Sequence, residues 1–196
     1  MNTQVLPLLP AGVTISQWHP EDVKTGEEAR AFCLAMIKSV YGYDYRADWH
    51  KDLDSLLKGD ESWYTIANKG TFLVLRNAEG TVIGTGGIHP ISRKPVLMPM
   101  FEGRYTTWES VAALGRTYIL PEYRGLGMSR VLVAMLEHAA ERMGYAHMNL
   151  HCEESAIRLR NHWESFGFTH ILNEDSASHY DKFVCNSAEV ESRYSA

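Results

Sequence analysis

Residues 116–130 contain the pattern of residue types with the clearest chemical meaning in this 196-residue chain. A short β-prone run ends at Pro121, a turn with Gly125 and Gly127 follows, and an amphipathic helix is predicted to begin near Met128. Backbone N–H groups at the start of a helix point towards one place, and glycines let a ligand approach them closely. The arrangement therefore predicts a binding site for a phosphate or pyrophosphate group.

Side chains in the same stretch can strengthen such a site. Arg124 and Arg130 can add charge-assisted hydrogen bonds, and Ser129 lies in the first turn of the predicted helix. A glycine-x-glycine fragment alone is weak support, because it also makes an ordinary tight turn. The preceding strand and the following helix favour the anion site. The spacing fits neither a P-loop nor a dinucleotide-binding fold.

Hydrophobic periodicity predicts the elements that must position these residues. Strands are predicted at 13–15, 71–76, 81–87, 114–120, 146–152, 168–172 and 179–184, and helices at 19–40, 49–59, 128–143 and 155–166. A loop is predicted at 90–107. This order is that of a mixed α/β domain, with a parallel strand–helix–strand unit over 114–152.

Composition and charge narrow the class of protein. The chain is 45% hydrophobic and 22% charged, as in ordinary globular proteins, and its net charge of −5 argues against nucleic acid as the main partner. No apolar run approaches the length of a membrane span. The three cysteines lack a C-x-x-C pair, and the start of the chain lacks a basic signal-peptide region, so we expect a cytoplasmic protein. We expect one domain over 1–186 and a polar tail over 187–196.

Two segments resemble a known family. Residues 116–132, which contain R-G-L-G-M-S at 124–129, resemble the acetyl-CoA-binding core of the GCN5-related N-acetyltransferases, the GNAT superfamily. The hallmark of that family is [R/Q]-x-x-G-x-[G/A] after a strand. The segment W-E-S-F-G-F at 163–168 resembles the family's Y-E-K-x-G-F, at the usual separation. The resemblance covers about residues 70–185.

The resemblance implies a fold and a donor. The sheet would be mixed and mostly antiparallel, flanked by helices, and splayed at the parallel strands 114–120 and 146–152. Acetyl-CoA would enter the splay as co-substrate, and an amine would attack it directly while the Ile119 N–H polarises the thioester carbonyl. The implied cofactor-binding residues are Tyr118, Ile119, Leu120, Arg124, Gly125, Leu126, Gly127, Met128, Ser129, Arg130 and Trp163.

Two departures from the family pattern concern proton transfer. Ala113 stands near the place of a frequent strand glutamate, and Trp163 stands near the place of a frequent tyrosine acid. A base is still needed, because most amines are protonated at neutral pH. Glu109, His151 and Tyr180 are the candidates, acting directly or through ordered water.

The expected activity is transfer of an acetyl group to a primary amine of a small molecule. The aromatic and acidic run at 41–49 either shapes a pocket for a cationic amine or is ordinary packing. Two alternatives stay open: acetylation of a protein N-terminus or lysine, and a regulatory module that binds acyl-CoA without turnover. We expect no metal, and a homodimer is compatible with the sequence.

Overall fold

Eleven regular elements follow one another in the order that the sequence predicts. A computed structural model describes residues 8–184. The elements are β1 Thr14–Gln17, α1 Val23–Tyr41, α2 Lys51–Ser55, β2 Thr71–Arg76, β3 Val82–Pro90, β4 Val111–Ile119, α3 Met128–Arg142, β5 His147–Glu153, α4 Ile157–Ser165, β6 Thr169–Glu174 and β7 Ala177–Phe183. Short 3-10 turns lie in several of the connections. The predicted order of strands and helices is confirmed.

The strands form a mixed sheet of seven strands in the order β1-β2-β3-β4-β5-β7-β6. The pairs β1–β2, β2–β3, β5–β7 and β6–β7 are antiparallel, whereas β4 and β5 are parallel. The parallel pairing runs only from Val111↔His147 to Ala113↔Asn149, although β4 continues to Ile119 and β5 to Glu153. This agrees with the predicted mixed sheet, which is mostly antiparallel and contains one parallel pair.

Several helix boundaries differ from the prediction by up to four residues, and local capping sets the start of α1. Helix α1 begins at Val23 rather than near His19, because the side chain of Asp22 accepts the N–H of Thr25 at 3.0 Å and caps the first turn. Helix α2 is limited to Lys51–Ser55 within the predicted range 49–59. Helix α3 ends one residue before the predicted Met143.

The described residues divide into two compact units. Unit 1 contains residues up to 89 together with 115–136, and unit 2 contains 90–114 and the residues from 137 onwards. The expectation of a single domain over 1–186 stays a prediction, and the predicted tail at 187–196 lies outside the described residues. Among residues 8–184, no helix has the length and apolar composition that a membrane span needs.

Unit 1 has a core between helix α1 and the hairpin of β2 and β3. Its buried side chains include Trp18, Ala29, Cys33, Ile37, Leu53, Leu56, Tyr64, Phe72, Val74 and Val82. The hairpin joins two of the predicted strands, and the side chain of Asn77 accepts the N–H of Thr81 at 2.8 Å and closes its turn.

Unit 2 has its own core, to which the connection between β3 and β4 contributes. Ile91, Phe101, Val111 and Ala113 are buried there. The sequence predicts a loop in this connection, and the structure shows short 3-10 turns at 91–93 and 95–101. Arg104 holds it to β7 through hydrogen bonds of 2.7 and 3.0 Å to the buried carboxylate of Asp181. The connection is therefore packed and ion-paired rather than free.

Candidate functional site

The predicted strand–turn–helix arrangement is present in unit 1. Strand β4 ends at Ile119, Gly125 and Gly127 take left-handed conformations with φ of +79° and +80°, and the 15-residue helix α3 begins at Met128. A side chain at either glycine would be strained in this conformation. Met128 is buried at 1% exposure and anchors the first turn of α3. The first turn of a well-anchored helix thus follows an exposed glycine turn, as an anion site requires.

The predicted ligand side chains surround this turn. Arg124, Leu126 and Arg130 are exposed, and Ser129 is half-buried in the first turn of α3. Arg124 Nε donates a hydrogen bond of 3.0 Å to the carbonyl oxygen of Ile119. The turn is therefore linked to the end of β4 through the residue that occupies the first position of the hallmark pattern.

The backbone at the end of β4 has a defined orientation. The N–H of Leu120 donates to the carbonyl of Ile83 in β3 at 2.9 Å. Successive N–H groups of a strand point towards opposite edges, so the N–H of Ile119 points away from β3. The carbonyl of Ile119 lies on that same side, where it accepts from Arg124. The Ile119 amide is thus directed away from β3.

Arg116 in the middle of β4 has a left-handed backbone, with φ of +56°. A non-glycine residue in this conformation costs about 1–3 kcal/mol and is held by its surroundings. The carbonyl oxygen of Arg116 accepts a hydrogen bond of 2.8 Å from the hydroxyl of Thr85 in β3. The strand is therefore irregular three residues before Ile119, and the irregularity is tied to the neighbouring strand.

The side chain of Arg116 forms a buried ion pair with Asp52 of helix α2. Nε and Nη2 donate to the two carboxylate oxygens, both at 2.7 Å, and the side chains are 13% and 2% exposed. Tyr64 donates its hydroxyl to the same carboxylate at 2.8 Å. Burial lowers the pKa of Arg116, but the charge and hydrogen bonds of Asp52 outweigh it and the net pKa is raised. The guanidinium therefore stays charged inside unit 1.

The comparisons with known proteins agree with this geometry. A profile of the Acetyltransferase (GNAT) family matches residues 34–168. The chain belongs to this family. The match includes the glycine turn, the start of α3 and the segment that ends at Phe168, so the family predicted from the two short motifs is confirmed.

This GNAT chain matches a distant relative over part of its length. An uncharacterised N-acetyltransferase of Schizosaccharomyces pombe is 29% identical over 99 residues, which are 50% of this chain and 52% of that protein. The match thus spans about half the length of that curated relative.

Several solved structures share the fold. A GNAT-family acetyltransferase of Staphylococcus aureus aligns with a TM-score of 0.66 and 15% identity, over 88% of this chain and 99% of its own. A Salmonella typhimurium protein solved with its cofactor acetyl-CoA aligns with a TM-score of 0.60 and 15% identity, over 89% of this chain and 95% of its own. The PaiA N-acetyltransferase of Thermoplasma acidophilum, solved with coenzyme A, aligns with a TM-score of 0.53 and 19% identity, over 87% of this chain and 98% of its own.

The candidates for proton transfer in this GNAT chain belong to unit 2. Glu109 is exposed in a one-turn helix before β4, and His151 is exposed on β5. Tyr180 is buried on β7, and its hydroxyl accepts from Arg160 at 3.1 Å. The surroundings of the three side chains therefore differ, from open solvent to a hydrogen-bonded interior.

Trp163 also belongs to unit 2, where it is 6% exposed. Its ring packs against His162, Phe166 and Phe168, with centroids 5.4–6.1 Å apart. This expected cofactor-binding residue is thus part of an aromatic cluster around the end of α4.

The aromatic segment at 41–49 borders β4 within unit 1. Arg116 Nη2 donates to the carbonyl of Trp49 at 3.2 Å, and the side chains of Tyr43, Tyr45 and Trp49 are about half exposed. The acids in and after the segment already have cationic partners, in the pairs Lys38–Asp44, Arg46–Asp48 and Arg30–Asp54. The guanidinium of Arg46 lies 3.8 Å from the ring centre of Trp49. The segment thus presents partly exposed aromatic rings, whereas its carboxylates are already paired with cations.

The sequence interpretation missed Asp52, the ion-pair partner of Arg116, and Tyr64, which donates its hydroxyl to Asp52. They lie 64 and 52 positions before Arg116 in the chain, and no local pattern links them to β4. No group of three or more His, Cys, Asp or Glu side chains within residues 8–184 is arranged to hold a metal ion.

Proposed function

We propose that this protein is an acetyl-CoA-dependent N-acetyltransferase that acts on a primary amine of a small molecule. The observation that carries the proposal is the pair of left-handed glycines, Gly125 and Gly127, between β4 and the buried start of α3. Membership in the GNAT family supports the donor, and two proteins of the same fold were solved with acetyl-CoA or coenzyme A.

In this proposal the cofactor is held mainly by backbone groups. The pyrophosphate lies on the amides of residues 124–129, with Arg124 and Arg130 beside it and the positive end of the α3 dipole behind it. The pantetheine arm follows the backbone of Tyr118–Leu120. The outward orientation of the Ile119 N–H supports its role as the hydrogen-bond donor to the thioester carbonyl, where negative charge develops during attack.

The reaction requires no nucleophilic side chain. The neutral amine nitrogen attacks the thioester carbon and forms the new C–N bond. The C–S bond then breaks, and coenzyme A leaves as a thiolate that takes up one proton. The attacking nitrogen loses one proton in return, so charge and atoms balance. Positioning and oxyanion stabilisation supply most of the rate in such a mechanism.

Three side chains are candidates for proton removal. Glu109 and His151 are exposed to water, whereas the hydroxyl of Tyr180 accepts a hydrogen bond from Arg160. Trp163 is buried among aromatic rings and has no acidic proton to give the leaving thiolate. This burial is the observation that favours the second candidate function, a module that binds acyl-CoA without turnover.

The segment at 41–49 supports a small acceptor with an apolar or aromatic body. Its carboxylates are paired with Lys38, Arg46 and, just beyond it, Arg30, so an incoming cation would compete with these partners. The half-exposed rings of Tyr43 and Trp49 pack edge to face with centroids 5.6 Å apart, and their exposed parts favour aromatic and aliphatic contacts.

An amine panel tests the proposed function. The protein is incubated with acetyl-CoA and arylalkylamines, polyamines, a free-lysine peptide or a peptide with a free N-terminus, and thiol release is followed. We expect release with a small arylalkylamine and a mass increase of that amine by one acetyl group. Tight binding of coenzyme A by calorimetry, without thiol release on any amine, would instead identify the binding module. Release only with the peptides would identify a protein acetyltransferase.

A further inference from the structure

The backbone of β4 is fixed at Arg116 from two directions. The carbonyl oxygen accepts from Thr85 at 2.8 Å, and the guanidinium is clamped by both oxygens of Asp52 at 2.7 Å. Tyr64 in turn holds Asp52 at 2.8 Å. Three elements of unit 1, β3, α2 and the segment after α2, thus hold a single left-handed residue in place.

Stability alone does not account for this arrangement. A buried ion pair rarely stabilises a fold more than well-packed apolar residues of similar volume, because both charges lose their hydration. The left-handed backbone of a non-glycine residue adds a further cost. Buried polar networks of this kind instead specify one conformation, because every alternative leaves a charge or a donor unpaired. The network therefore selects the backbone conformation at Arg116.

The backbone conformation selected at Arg116 bears on the reaction because of where this residue lies in β4. Arg116 lies three residues before Ile119, on the same strand, and the N–H of Leu120 is already fixed to Ile83 of β3. A short backbone segment held at both ends has little freedom in between. The direction of the Ile119 N–H is therefore set by the conformation of Arg116 on one side and by the bond of Leu120 on the other.

We propose that Asp52, Arg116 and Tyr64 are positioning residues that orient the Ile119 N–H towards the thioester carbonyl. The inference rests on the proposed function, in which that N–H stabilises the developing oxyanion. The three side chains act through the backbone of β4 and do not themselves touch the reacting atoms.

The substitution Arg116→Lys tests the inference, because lysine keeps the charge but cannot form the paired hydrogen bonds to Asp52. We expect kcat for thiol release to fall about 100-fold, as when reacting groups are misplaced by about 1 Å. The Kd of acetyl-CoA should change less than about 3-fold, because the backbone amides of 124–129 are untouched. Arg76→Lys is the matched control, since Arg76 is also a strand arginine paired to a carboxylate, Glu28, at 2.7 Å.

A second variant and a spectroscopic measurement guard against misfolding. Tyr64→Phe removes one hydrogen bond to Asp52, and we expect a fall in kcat of about 5-fold with an unchanged circular dichroism spectrum. In the ¹⁵N-labelled wild type, the amide proton of Ile119 should move downfield with acetyl-CoA more than with coenzyme A. In Arg116→Lys this acetyl-dependent difference should disappear.

The outcomes separate the two proposals. Wild-type kcat in Arg116→Lys together with a lower Tm would mean that the pair is only structural and would overturn the inference. An acetyl-dependent shift of Ile119 without thiol release on any amine would overturn the proposed transferase and support the positioning role. Failure of the wild type to bind acetyl-CoA would overturn both.

Discussion

The two units each contain a glycine–arginine dipeptide whose arginine pairs with a buried aspartate, yet the backbones differ. In unit 2, Gly103 takes the left-handed conformation with φ of +76°, and Arg104 beside it reaches Asp181. In unit 1, Arg116 itself takes the left-handed conformation, although Gly115 is its neighbour. In the same Gly-Arg dipeptide, the left-handed residue is thus the glycine in unit 2 and the arginine in unit 1.

The difference indicates what each ion pair does. Glycine adopts a left-handed backbone at little cost, so the pair of Arg104 with Asp181 need only hold the connection between β3 and β4 in place. Arg116 cannot adopt that backbone without strain, and its side chain is 13% exposed where that of Arg104 is 41% exposed. The ion pair in unit 1 therefore determines a backbone conformation, whereas the ion pair in unit 2 binds the connection between β3 and β4 to β7.

The largest effect should come from removing the two carboxylates. Asp52→Ala leaves the buried guanidinium of Arg116 without its partner, and we expect the free energy of unfolding to fall by about 3–5 kcal/mol. Asp181→Ala leaves Arg104, which water can reach, and we expect a fall of about 1–2 kcal/mol. Urea denaturation of both variants measures the difference. Equal losses would contradict the contrast drawn between the two pairs.

A pair of glycine substitutions compares the cofactor turn with the connection in unit 2. Gly127→Glu introduces strain and a negative charge where we propose the pyrophosphate, and the Kd of coenzyme A should rise at least about 100-fold. Gly103→Glu introduces comparable strain, since its φ is +76°, into open space in unit 2. Calorimetry should show wild-type affinity for this control. Undiminished binding in Gly127→Glu would overturn the placement of the cofactor.

The smallest effect concerns one buried histidine in each unit. Burial lowers the pKa of His50 and of His179 from the ordinary 6.5, and the charge of His170 lowers that of His179 further. The unfolded chain therefore binds more protons below about pH 6.5 than the folded one, and the free energy of unfolding falls as the pH falls. Each histidine contributes at most about 1.4 kcal/mol per pH unit.

The two histidines should differ at neutral pH. Nδ1 of His50 accepts the N–H of Arg46 at 2.9 Å, whereas Nδ1 of His179 is buried without a hydrogen-bond partner among residues 8–184. His50→Leu should therefore cost about 1–2 kcal/mol at pH 7.5, and His179→Leu less. Both variants should flatten the decline in stability between pH 7 and pH 5. An unchanged pH profile in both would refute the assignment of the titration to these side chains.

Local patterns were sufficient for most of the fold and for the cofactor turn. The apolar stripe of α3 begins at Met128 and depends on spacings of three and four residues, and the hairpin of β2 and β3 depends on the turn Asn77–Gly80. Strand β4 begins at Val111, three residues earlier than predicted, because 111–113 pair with β5. Pairing between distant strands sets such a boundary, and no property of residues 111–113 alone reveals it.

The interactions of Arg116 could not be predicted, for the same reason. Asp52 is 64 positions away in the chain and looks like any acid in the first turn of a helix. The dipeptides 103–104 and 115–116 are identical in sequence, so nothing local distinguishes the left-handed glycine from the left-handed arginine. Only the three-dimensional neighbours, Thr85 and Asp52, make the difference.

The buried thiols of the two units have a practical consequence. Cys33 in unit 1 is 0% exposed and Cys152 in unit 2 is 5% exposed, and burial raises the pKa of their thiols to about 12 and about 11. Since the thiolate is the reactive form, a disulfide reagent should react with free coenzyme A much faster than with either side chain. In a Cys185→Ser background, the slow labelling rates of Cys33 and Cys152 would then measure how often unit 1 and unit 2, respectively, open transiently.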